Sequence, residues 1–378
     1  MRNILIHKYS KILGLFIIFL MFIFQVFSGA DYGKFMPDYY EAHLITMIHL
    51  HLDKSFLYLM QSIPNSASGV FPLYLLGFFE DLFVHRLLSI TAIIIMIYLL
   101  HKNLSSPEVT FYIASSLFLS PMIISSTSWI LPEIFSLLAL ALLFNYSKYL
   151  FPNIVFSFLI PFSRQTFISL IFSRLFYKPS NLKYWLYSML TASISILILY
   201  FIWGGLIPPR LSLVHNTPSI KAGILWLLIF ILYFVPFFIS EITKFNFQMK
   251  RVIISVTFSI FLVYINSLQP ELISGGYIFS RVEKYFPILG FLFEVVLLFI
   301  FFSMADISLI LFALCSSITF CTTNGVLLKY VDFYVFAFLL YSISDVSDDY
   351  KKNITKYAKS IFHFEIFSLI LAFIYYKK

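Results

Sequence analysis

Pro37-Asp38-Tyr39-Tyr40-Glu41-Ala42-His43-Leu44-Ile45-Thr46-Met47-Ile48-His49-Leu50-His51-Leu52-Asp53 is the polar centre of a very apolar chain. At helical spacing Leu44, Ile48 and Leu52 share one face, while His43, Thr46, His49 and Asp53 share the other. A helix of that kind rests on a membrane interface with its polar face toward water or a cleft. The surrounding stretch, Ser28 to Tyr74, is the longest that cannot cross a membrane, and it lies between two stretches that can. The reading expects a membrane protein whose first loop carries interfacial helices and whatever chemistry the chain performs.

The rest of the composition agrees. Of 378 residues, 60% are apolar, 20% aromatic and 12% charged, with mean hydropathy +0.91. A water-soluble domain carries about 25% charged residues, so half that fraction selects lipid as the solvent. The net charge of +8 does not imply nucleic acid, because the basic residues cluster in short loops where they orient spans. Cys315 and Cys321 lie in an apolar run and read as buried free thiols, with neither disulfide nor metal-ligand spacing.

Arg2, Lys8 and Lys11 precede the apolar run Ile12–Phe27. A retained first span is preferred over a cleaved signal peptide, because the run is long for one and no clean cleavage site follows. The N-terminus is then cytoplasmic and the 28–84 loop external. Further spans are expected at Val84–Leu100, Val109–Ser125 and Leu131–Tyr146, with a small external loop Ser126–Trp129. The apolar stretch Phe151–Phe176 is interrupted at Pro161–Thr166 and has basic residues on both flanks. It is expected to break into two short helices with Arg164 at the tip, an arrangement tolerated at membrane depth where it lines a cavity. Spans near Trp185–Trp203, Ile224–Ser240, Val252–Ile265, Pro287–Phe302, Ile307–Thr319, Val326–Ile343 and Ile361–Tyr376 follow. The expectation is an all-α polytopic membrane protein, a single transmembrane domain of about 13 spans. Basic loops Glu241–Arg251 and Asp345–Lys359 would be cytoplasmic, and loops 204–222 and 266–286 external.

From Phe71 onward the order of motifs becomes specific. Phe71-Pro72-Leu73-Tyr74 is followed by Phe79-Glu80-Asp81-Leu82-Phe83-Val84-His85-Arg86-Leu87-Leu88-Ser89. Leu119-Ser120-Pro121, Glu133-Ile134-Phe135-Ser136-Leu137-Leu138 and Arg164-Gln165-Thr166 come after it. Over residues 1–183 this series resembles polytopic glycosyltransferases of the GT-C class. The similar members are the protein O-mannosyltransferases, the lipid A aminoarabinose transferases and the lipopolysaccharide-core transferases; residues 184–378 form a C-terminal transmembrane half outside the resemblance. The resemblance implies sugar transfer from a polyprenyl-phosphate donor to a glycan, glycolipid or protein acceptor at the external face of the cytoplasmic membrane. It implies neither a metal nor another cofactor. Where those families carry an adjacent acidic pair, this chain has Asp38 followed by Tyr39, with Glu41 as the next acid.

Such a transfer needs a carboxylate to take the proton of the attacking hydroxyl and a cation to hold the leaving phosphate. Asp38 is the expected base, with Asp31 and Glu41 as rivals. Arg164 is the expected phosphate ligand, with Gln165 beside it; the plainer role for Arg164 is snorkelling to headgroups. Glu133 either assists or favours the start of its own helix. Tyr39 and Tyr40 stack on sugar or belong to the aromatic belt; His43 is a further candidate contact, and Arg86 reads more readily as an interfacial anchor. His49 and His51 fall on different helix faces, which argues against a shared metal. Two other classes stay open. A repeat-unit polymerase would be expected to carry paired arginines in a later loop, where only Arg210 and Arg281 occur. A flippase or transporter would need ionisable groups within several spans, where Glu294 and Asp306 stand nearly alone.

Overall fold

The computed structural model describes residues 2–28, 53–55, 57–58, 61, 81–104, 106–128, 133–177, 181–205, 218–245, 248–270, 274–275, 277–321, 325–326, 328–343 and 348–376. Asp31, Asp38, Tyr39, Tyr40, Glu41, His43, His49 and His51 lie outside the described residues.

The described elements are helices, with one two-residue parallel pairing between Ser274–Gly275 and Gly325–Val326. We label the helices α1 (Arg2–Ser28), α2 (Leu82–Leu104), α3 (Pro107–Leu119), α4 (Pro121–Ser128), α5 (Glu133–Asn145), α6 (Leu150–Ser163), α7 (Ile168–Ser173) and α8 (Leu182–Trp203). There follow α9 (Ile220–Leu232), α10 (Val235–Glu241), α11 (Met249–Ser267), α12 (Tyr277–Tyr285), α13 (Pro287–Met304), α14 (Ile307–Phe320), α15 (Leu328–Ile343) and α16 (Asp348–Tyr376). Their buried apolar residues form one continuous core, from Phe22 on α1 to Ile361 on α16. Outside that core α1, α8, α11 and α13 expose Phe24, Phe201, Ile254 and Ile288, as lipid-facing helices do.

Among the described residues five helices, α1, α2, α8, α11 and α13, are long and apolar enough to cross a membrane singly. Two bent pairs, α3 with α4 and α9 with α10, raise that to seven when each counts as one span. Helices α5, α6, α14 and part of α15 are apolar but short, with 10–17 residues in their apolar portions. At 1.5 Å per residue, 13 residues rise about 20 Å, short of a hydrocarbon core about 30 Å thick.

Several expected boundaries are corrected. The span foreseen at Val109–Ser125 is two helices meeting at 59° across Ser120. Pro121 has no N–H to continue α3, and Ser120 turns extended before α4 begins. The loop foreseen at Ser126–Ser128 is the end of α4. The span at Ile224–Ser240 bends by 56° between α9 and α10, next to Pro236. The basic stretch assigned to a loop at Asp345–Lys359 is helical from Asp348 onward. The expected interruption in Phe151–Phe176 is present: α6 stops at Ser163, Arg164 is extended (φ −157°, ψ 119°), and a 3₁₀ turn over Gln165–Phe167 leads into α7.

Polar side chains join these helices from within. Asn153 on α6 donates to Ser147 O at 2.8 Å and Tyr149 O at 2.6 Å. Ser188 on α8 donates to Asn153 Oδ1 at 3.2 Å, and Ser195 reaches Phe158 O at 2.7 Å. Such bonds matter where lipid offers buried polar groups no alternative partner. Where α9 meets α14 the backbones approach so closely that a Cβ at Gly223 would stand 2.8 Å from Ser317 O.

The helices share a common edge. The rings of Phe27 at the end of α1 and Phe83 at the start of α2 lie 5.2 Å apart. Arg86 Nε donates to Ser128 O at 3.0 Å, at the end of α4. Gln61 donates to Ile202 O near the end of α8 at 3.3 Å. The end of α1 and the start of α2, which flank positions 29–80, therefore lie at one edge. At the opposite edge Lys11 pairs with Glu108 at 3.5 Å and His101 bonds Thr110 at 3.0 Å.

Candidate functional site

Glu133 opens α5, five residues after Arg86's acceptor helix α4 has ended at the shared edge. It is fully buried. The break after α6 turns Arg164 inward, and its Nη2 makes a close ion pair with Glu133 Oε1. The Arg164 side chain is 15% exposed, whereas that of Glu133 is not exposed at all. Glu133 Oε2 has no hydrogen-bond partner among the described residues.

The local reason for this geometry is legible. Pro161 sits in the last turn of α6, and the extended Arg164 ends the helix with its N–H still bonded to Ile160 O at 3.2 Å. Tyr334 OH on α15 then donates to Thr166 O at 2.6 Å, which holds the turn against the core. Phe167 is buried below it, edge-on to the Tyr334 ring at 5.4 Å. The break is thus fixed from both sides.

Of the expected site residues, Glu133 and Arg164 are brought together, and Gln165 is next to them in the 3₁₀ turn. Arg86 lies on the same edge but is engaged with the α4 carbonyl, which suits an anchor better than a ligand. Asp38, Glu41, Tyr39, Tyr40 and His43 lie outside the described residues. Among the described residues no group of three His, Cys, Asp or Glu side chains could hold a metal ion.

Three polar features escaped sequence reasoning. The first is Asp332 on α15, buried in the core. It accepts close hydrogen bonds from Ser120 Oγ, at the α3–α4 bend, and from Tyr233 OH, at the α9–α10 bend. Both bends therefore meet on one carboxylate. Glu365 on α16, also buried, lies within its electrostatic reach. The second is Arg174, expected at a basic flank. It is 2% exposed and stacks over Trp185 at 4.1 Å and Phe144 at 4.9 Å, a cation held by aromatic faces. The third is a cluster on α9, α11, α12 and α13, made of Lys221, Asn266, Glu283 and Glu294. For Glu294 the signal was present, since a lone acid in an apolar run is a functional hypothesis by default. Its partners come from three other helices and leave no pattern in the chain.

Compared with known proteins, the chain matches no family model, no curated protein and no solved structure.

Proposed function

We propose that this protein is a membrane glycosyltransferase that moves a sugar from a polyprenyl-phosphate carrier to an acceptor at the external face of the cytoplasmic membrane. The observation that carries the reading is the buried Glu133–Arg164 pair, seated on the edge where α1 ends and α2 begins. Arg164 pairs with the buried Glu133 and its side chain keeps some exposure, so a phosphate can take over part of its fork. Glu133 meanwhile keeps the guanidinium aimed when no lipid is bound.

The transfer balances simply. The acceptor hydroxyl attacks the anomeric carbon, a new C–O bond forms, and the bond from that carbon to the phosphate oxygen breaks. The hydroxyl proton goes to a carboxylate, for which Asp38 is the candidate and Glu41 the neighbour. The electron pair leaves with the lipid phosphate, whose charge Arg164 stabilises. Gln165, Tyr39, Tyr40 and His43 are candidate sugar and phosphate contacts. In this reading about 13 spans cross the membrane, some as bent or paired short helices, and the N-terminus is cytoplasmic. A cysteine placed at Ser66 should then react with an impermeant thiol reagent in intact cells, and one at Lys102 should not.

The test is binding of polyprenyl phosphate, the released lipid, to purified protein, together with sugar transfer from polyprenyl-phosphate hexoses in membranes. Arg164→Ala should weaken both, and Arg164→Lys should restore only part, because a point charge cannot form the fork. Unchanged binding and transfer by folded Arg164→Ala would sink the proposal.

One observation favours a second reading, a glycolipid flippase. Bent helices that meet on a buried carboxylate, as at Asp332, are the architecture of many transporters. Lipid translocation that is lost in Asp332→Asn while sugar transfer was never present would select it.

A further inference from the structure

A cavity of about 430 Å³ lies between α9, α11, α12 and α13, lined by Lys221, Glu283, Glu294, Val263, Ile288 and Phe291 among others. All of its lining residues belong to the C-terminal half, and neither Glu133 nor Arg164 is among them. Its polar wall is one connected network. Lys221 Nζ is 3.1 Å from Glu283 Oε2. Asn266 Nδ2 donates to Glu283 Oε1 at 3.1 Å and to Glu294 Oε2 at 3.0 Å. That uses the two donors of the amide and leaves two carboxylates facing one ammonium.

The imbalance falls on Glu294. It is 1% exposed, it lines the cavity, and its Oε1 has no hydrogen-bond partner among the described residues. An unsatisfied buried carboxylate oxygen is costly, and a donor arriving from outside would relieve it. The neighbouring Glu283 adds like charge and lies within hydrogen-bonding reach of Glu294, so the rival arrangement is a proton shared between the two carboxyls. An anion would meet two carboxylates here, with the single Lys221 already engaged. A cationic donor meets the opposite field.

The rim says where such a donor comes from. Tyr285, Phe286, Pro287, Ile288 and Leu289 around the start of α13 are all exposed, and exposed apolar residues at a helix end face lipid in a membrane protein. We propose that this cavity is a binding site for the primary ammonium of a membrane lipid headgroup, with Glu294 as its acceptor and the Lys221–Glu283–Asn266 network holding that acceptor in place. The site does not depend on the transfer reaction proposed above.

The experiment uses the purified full-length chain and three probes: phosphatidylethanolamine, whose ammonium carries N–H donors, phosphatidylcholine, whose quaternary ammonium carries none, and soluble ethanolamine. Retention through detergent washing, read by native mass spectrometry, and the thermal midpoint are recorded for each. Phosphatidylethanolamine should bind roughly tenfold or more tightly than phosphatidylcholine, the ratio expected for one charge-assisted hydrogen bond. Glu294→Gln keeps the shape and the bond from Asn266, and should abolish that preference. Ethanolamine protecting as well as the lipid would reassign the source to a soluble amine and overturn the lipid site. Equal retention of the two lipids would overturn the proposal. So would a Glu294→Gln variant that is more stable than wild type while no amine protects either, since the two carboxyls then share a proton instead.

Discussion

The two charged clusters differ in one respect that decides what each can bind. At the helix break, Glu133 pairs with Arg164, and the Arg164 side chain keeps partial exposure. In the C-terminal half, two carboxylates share one ammonium, and the fully buried carboxylate is the one short of donors. The Glu133–Arg164 pair can exchange its anion for another anion, because the guanidinium fork is reusable. An acid-rich cluster can only recruit a cation or a donor. Burial in a low-dielectric setting magnifies both tendencies, since an unpaired charge there has no water to fall back on. The same residue types therefore serve opposite ligands according to their count and exposure.

The largest expected effect separates chemistry from charge balance. Asp38→Asn should express normally, still bind polyprenyl phosphate, and lose about 10²–10⁴ in transfer rate, measured with polyprenyl-phosphate hexoses in membranes. Asp31→Asn and Glu41→Gln should be milder. A dead Glu41→Gln beside a normal Asp38→Asn would move the base to the second acid.

Next comes the pair itself. Arg164→Ala leaves Glu133 buried without its cation, which costs about 3–5 kcal/mol when a buried pair is broken from one side. The double variant Glu133→Gln with Arg164→Gln should recover most of the thermal stability without recovering polyprenyl-phosphate binding. If the double variant binds the lipid as wild type does, the comparison drawn above fails, because the pair was only structural.

A smaller effect tests whether the acid-rich cluster depends on close helix packing. Gly223→Val would force α9 away from Ser317 and Cys321 on and beside α14, at a cost of about 1–3 kcal/mol for overpacking. Lys221 stands two residues before it, so the selectivity between amine lipids should weaken in parallel. Stability that falls without any change in lipid preference would show the cavity to be independent of that contact.

The smallest effect is at the opposite edge. Lys11 and Glu108 are 3.5 Å apart with side chains 25% and 52% exposed, so Lys11→Met should alter stability by less than about 1 kcal/mol. A large loss there would mean that exposure at this edge is not what separates weak pairs from strong ones.

What the chain determined by itself is mostly what local composition controls. Apolar runs such as 12–27, 84–100 and 287–302 dictate helices suited to lipid, because no other structure satisfies their backbone there. Pro161 with Arg164-Gln165-Thr166 marked a helix break, since a proline weakens the last turn of α6 by removing a hydrogen-bond donor and a polar run follows it. Glu133, Arg164 and Glu294 stood out as ionisable groups in apolar surroundings, and each is at a polar cluster.

Only the tertiary structure decided who their partners are. Glu133 and Arg164 are 31 positions apart, Lys221 and Glu283 are 62, and Ser120 and Asp332 are 212. Nothing in a hydropathy pattern encodes such distances, because helix packing and not local propensity brings these groups together. The bends at Ser120 and Tyr233 show the same limit. The apolar runs there are continuous, so the sequence reads as single spans, yet a proline beside each bend and the shared carboxylate of Asp332 make two helices of each. Burial sets the sense of Arg174 as well: in the sequence it reads only as part of a basic flank, but Phe144 and Trp185, 30 positions before it and 11 after it, close over it as an aromatic slot.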